Sequence, residues 1–104
     1  MRLIGAGLLA FAALSFTGCA TQSKPAFPTA EVVARKSGSE VAVLERGRTI
    51  YATRCTECHV ARPVTRFSAG EWPAQVARMA PRAKLSSEDR FAVESYLVAA
   101  SSSQ

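Results

Sequence analysis

The chain has 104 residues, with 13 Lys or Arg against 8 Asp or Glu for a formal net charge of +5, three cysteines and a single histidine. That length accommodates one small domain, and no internal repeat divides it. The basic surplus bears on partners rather than on fold; with no reading motif in the chain, it does not point to nucleic acid.

Arg2 followed by the apolar run Leu3 to Phe16 has the charge and length of an export signal, over residues 1–18. Phe16-Thr17-Gly18-Cys19 resembles a bacterial lipobox, with Phe16 in place of the usual Leu. The resemblance implies cleavage before Cys19 and lipidation of that cysteine, a lipoprotein held at the membrane. Two alternatives stay open: an uncleaved anchor, although the apolar run is at the short limit for spanning a bilayer, and a soluble periplasmic form that leaves Cys19 as an odd thiol. Each puts the domain outside the cytoplasm, in the periplasm of a bacterial envelope. Ala20 resembles the outer-membrane sorting pattern and favours that membrane over the inner one.

Residues 19–39 read as the lipidated cysteine and a flexible tether, because Ala20 to Ser39 is rich in Ala, Ser, Thr, Pro and Gly. Some 20 such residues reach on the order of 25 Å. Within them, Glu31 to Lys36 has the pattern of one helical turn against the domain. The domain is expected over 40–104. Its ordered part, some 60 residues, is small for a self-sufficient hydrophobic core.

A first helix is predicted from an N-cap near Ser39 to Cys55, with Val43, Gly47, Ile50 and Tyr51 along one side. Its last turn delivers Cys55-Thr56-Glu57-Cys58-His59. Two thiols three positions apart can each form a thioether with one porphyrin, and the adjacent imidazole then faces the iron, the c-type haem attachment pattern. Zinc would need a fourth Cys or His that the mature chain lacks. A redox dithiol would want a βαβ setting, and a Cys55–Cys58 disulfide would close a loop too small to stabilise much.

Ser68-Ala69-Gly70-Glu71 is a capping-box pattern that announces a second helix, with Trp72, Val76 and Met79 on one face and Pro73 in its first turns. A third begins at Ser86, with Glu88 and Asp89 at the positive end of its dipole and Val93, Tyr96, Leu97 and Ala100 as its buried stripe.

The order Gly47, Tyr51, Cys55-x-x-Cys58-His59, Trp72, Met79, Leu85-Ser86-x-Glu88 and Tyr96-Leu97 resembles a short class I cytochrome c across residues 40 to 100. The resemblance implies an all-α, cytochrome c-like fold of about three helices around one covalent haem c that itself serves as core. It implies Cys55 and Cys58 as thioether attachments and His59 and Met79 as iron ligands, a thioether being a soft, neutral donor that raises the reduction potential. Met79 is the only methionine left once Met1 is removed. Gly47 would let an aromatic such as Tyr96 pack on the backbone where the first and last helices cross. The Pro63 carbonyl either orients His59 or belongs to a simple turn, and Phe67 and Trp72 are haem walls or ordinary core.

Removal of Arg2 with the signal leaves 12 basic side chains against 8 acidic. Arg46, Arg48, Arg54, Arg62, Arg66, Arg78, Arg82 and Lys84 cluster in sequence around the haem-binding segments, a basic rim suited to redox donors and acceptors with an acidic docking face. Anionic lipid next to the anchor and a solvated surface with no partner at all are the alternatives for that charge. The expected function is a membrane-tethered, one-electron carrier and not an enzyme. A haem enzyme or a gas or peroxide sensor with an open sixth site, or a haem subunit of a larger oxidoreductase, is the alternative.

Overall fold

The structure, a computed structural model, describes residues 27–56 and 60–104 together with Gly5 and Gly7. Cys19, Cys58 and His59 lie outside the described residues. Four α-helices follow one another: α1 (Ala30–Ser37), α2 (Val41–Thr53), α3 (Trp72–Met79) and α4 (Ser87–Ser102), with a short 3-10 turn at Val64–Arg66 before α3. The all-α class stands, with no strand among the described residues and one helix more than expected. None of these helices is long and apolar enough to cross a membrane.

The additional helix lies within the stretch expected as a tether and contains the helical turn read at Glu31 to Lys36. Thr29 caps α1 through its hydroxyl, which accepts from the Val32 amide, and Gly38 ends it at φ 73°, donating to the Ala34 carbonyl. Ala30 and Val33 are fully buried against α2 and α4. The chain is already fixed before this helix begins. The Phe27 ring meets Tyr51 edge-on at 5.4 Å, and the Pro28 carbonyl accepts a buried 2.9 Å hydrogen bond from the Tyr96 hydroxyl. Thus the folded body includes Phe27 and Pro28, where the sequence reading starts it at Glu40.

The central packing unit is α2 against α4. Leu44, Gly47, Ile50 and Tyr51 form the inner side of α2, Leu44 taking the place expected for Val43, which is half-buried. From α4 come Val93, Tyr96, Leu97 and Ala100, the expected stripe, together with Ala92 and Ala99. The two backbones touch at Gly47, where a Cβ would run into the Ala92 carbonyl and come within 2.8 Å of Tyr96 Cβ. That crossing is the one the sequence anticipates.

Helix α4 starts where expected, with the Ser86 hydroxyl accepting from the Asp89 amide at 3.1 Å. At the start of α3 the Glu71 carboxylate accepts from the Ser68 amide at 2.8 Å, while the Ser68 carbonyl accepts from Glu71 and Trp72. The Ser68 amide, and after it the Ser68 side chain, lower the Glu71 carboxyl from its ordinary value by hydrogen bonding to it. Pro73 occupies the first turn of α3, where no intrahelical donor is lost.

Candidate functional site

Two of the sequence-predicted site residues are described, and both line one pocket. Cys55 follows the end of α2 and is buried; Met79 closes α3 and is half-buried. The remaining walls are Tyr51, Phe67 and Trp72, with Ala61, Arg62 and Gln75 completing a cavity of about 160 Å³. Gln75 and Met79 are four residues apart, which on a helix gives them one face.

The aromatic wall is fixed by main-chain acceptors. Trp72 is buried and donates its indole N–H to the Val64 carbonyl at 2.9 Å. Its ring stands edge-on to Phe67 at 5.0 Å and to Tyr51 at 5.9 Å. Tyr51 donates its hydroxyl to the Arg62 carbonyl at 2.6 Å, so the strand of chain entering residues 60–67 is pinned from both sides. Burial, then the neighbouring Cys55, push the Tyr51 hydroxyl up to about 12, and it remains a neutral donor throughout the physiological range. Pro63 heads the 3-10 turn and its carbonyl accepts from the Arg66 amide at 2.9 Å, which is the turn role the sequence leaves open for it.

Three of the eight basic residues expected around this region are engaged within the fold. Arg46 pairs with Asp89 at 2.7 Å and Glu88 at 3.6 Å, Arg54 pairs with Asp89 at 3.3 Å, and Arg48 donates to the Phe27 carbonyl. Arg62, Arg66, Arg78, Arg82 and Lys84 are exposed and make no ion pair among the described residues. Arg66 lies over the Phe67 ring at 5.2 Å from its centroid.

Sequence reasoning missed Phe27 and Gln75 as parts of this region, and the pairing of Arg54 with Asp89. Only Gln75 carried a local signal, its four-residue spacing from Met79. Compared with models of known families, with curated proteins and with solved structures, the chain matches none.

The donor set suits a porphyrin. A thiol and a thioether share a pocket walled by three aromatic rings, and Arg62 brings a cation suited to a carboxylate substituent. At about 160 Å³ the cavity is smaller than the roughly 300 Å³ at which most small-molecule pockets begin. A macrocycle would therefore widen its mouth or keep an edge in solvent.

Proposed function

We propose that the chain is a membrane-tethered c-type cytochrome carrying one electron between redox partners outside the cytoplasm, with one covalent haem. The observation that carries this reading is the meeting of Cys55 and Met79 in one aromatic-walled pocket, although 23 residues lie between them. On this reading Cys55 and Cys58 attach the porphyrin, His59 and Met79 ligate the iron, and Cys19 bears the lipid. The group supplies reversible one-electron chemistry; the chain supplies position and dryness. Tyr51, Phe67 and Trp72 exclude water from one side, and the Trp72 and Tyr51 hydrogen bonds keep their rings from rotating out of the wall. The exposed cations Arg62, Arg66, Arg78, Arg82 and Lys84 favour acidic docking faces in weak, fast encounters.

The test is the absorption spectrum of the chain produced with haem-maturation machinery, in ferric and ferrous forms. A far-red methionine-to-iron band that disappears in Met79→Ala supports the carrier. Bound haem without the band, together with ready carbon monoxide binding by the ferrous form, favours the enzyme or sensor reading. Absence of covalent haem overturns both.

A further inference from the structure

The residue just before Cys55 links the two sides of the pocket. Arg54 caps α2 and extends its guanidinium across to the turn that follows Met79. Its Nη2 donates to the carbonyls of Ala83 at 2.6 Å and Lys84 at 3.0 Å. Its Nη1 donates to Asp89 Oδ2 at 3.3 Å, and Arg46 holds the other carboxylate oxygen at 2.7 Å.

The turn it grips is continuous with Met79. The Ala83 amide donates to the Met79 carbonyl at 3.0 Å, and the Leu85 amide donates to Ala80 at 3.0 Å. Lys84 takes a left-handed conformation, φ 53°, which non-glycine residues adopt at a cost. A backbone bent this way needs external support. Arg54 provides it through the two carbonyls on either side of the bend, so only Ala83 stands between its guanidinium and the Met79 main chain.

We propose that Arg54 is a positioning residue that fixes where Met79 presents its sulfur relative to Cys55. The inference rests on the haem reading given above. A planar fork with several fixed donors can hold two carbonyls and a carboxylate at once; an ammonium is a single point. Arg46 serves as an internal control, because it meets the same Asp89 but touches neither carbonyl.

The experiment compares the unsubstituted haem-loaded chain with Arg54→Gln, Arg54→Lys and Arg46→Gln. Three readouts are taken: the far-red sulfur band, carbon monoxide binding to the ferrous form, and thermal unfolding. In Arg54→Gln the equilibrium between sulfur-bound and open iron should move toward the open form by roughly tenfold, the scale of one charge-assisted hydrogen bond. Arg54→Lys should recover only part of the band, and Arg46→Gln should unfold earlier with its band intact. If Arg54→Gln does not mature, Arg54→Lys is read in its place. A band equally strong in the Arg54 variants and in Arg46→Gln, at equal loss of stability, overturns the inference alone. An unsubstituted protein without the band overturns Met79 ligation, and this inference with it.

Discussion

Gly47 of α2 lies directly on the main-chain carbonyl of Ala92 in α4, leaving no room for a Cβ between the helices. Both obstructing atoms of Ala92 belong to the backbone and cannot swing aside. Gly47→Ala gains roughly 1 kcal/mol of helix propensity but must separate the two central helices. A clash with backbone belongs at the upper end of the roughly 1–3 kcal/mol usual for overpacking, so a net loss of about 1–2 kcal/mol is expected. In a domain of this size that lowers the unfolding midpoint by several degrees. A variant as stable as the parent would show that the helices do not cross so closely.

Trp72 makes a buried hydrogen bond to Val64 as well as a packing contact. Trp72→Phe keeps most of the packing but leaves a buried carbonyl without its donor, at about 1–3 kcal/mol. Urea titration followed by circular dichroism measures the loss. Removal of the ring in Trp72→Ala should cost more, about 3–5 kcal/mol, and open the pocket to water.

Alkaline pH should weaken the fold through two tyrosines. Burial is the leading cause that raises both Tyr51 and Tyr96 from 10.0 to about 12. Below pH 10 both are protonated whether folded or unfolded, and their contribution is complete. Between pH 10 and about 12 the unfolded chain releases the protons while the folded chain keeps them, so stability falls as pH rises. Unfolding midpoints measured across that interval should decline in step with delayed tyrosinate absorbance. Tyr96→Phe should remove part of the decline, and also about 1 kcal/mol at neutral pH through loss of the bond to Pro28.

A chain beginning at Ser39 would lack α1 and the Phe27–Pro28 contacts. It uncovers the sites of Ala30 and Val33 and leaves the Tyr96 hydroxyl without its acceptor. Burial of the valine alone is worth about 1.5–3 kcal/mol. Equilibrium denaturation should therefore place this truncation well below a chain beginning at Phe27. Equal midpoints would return residues 27–38 to the tether.

What is legible in the sequence is local. The Ser86 cap, the reach of Glu71 back to Ser68 and the α4 stripe each rest on residues within a turn or two of one another, where helical spacing is decisive. The convergence of Met79 with Cys55 is legible only through resemblance to a family. Helix α1 is obscured because it contributes two buried side chains and gains its hold from Tyr51 and Tyr96, 24 and 68 residues from Phe27 and Pro28. Arg54 looks like one more surface cation, since nothing nearby in sequence announces the carbonyls it serves.

The contacts of Phe27 and Pro28 shorten the link between the folded body and a lipid on Cys19. Seven residues lie between Cys19 and Phe27, so the two can be at most about 28 Å apart. With lipid on Cys19, the domain would stay within that distance of its anchor. Partners held at the same surface would then meet it at an effective concentration set by that reach. Because Phe27 packs against Tyr51, so short a link would also limit which way the pocket can turn.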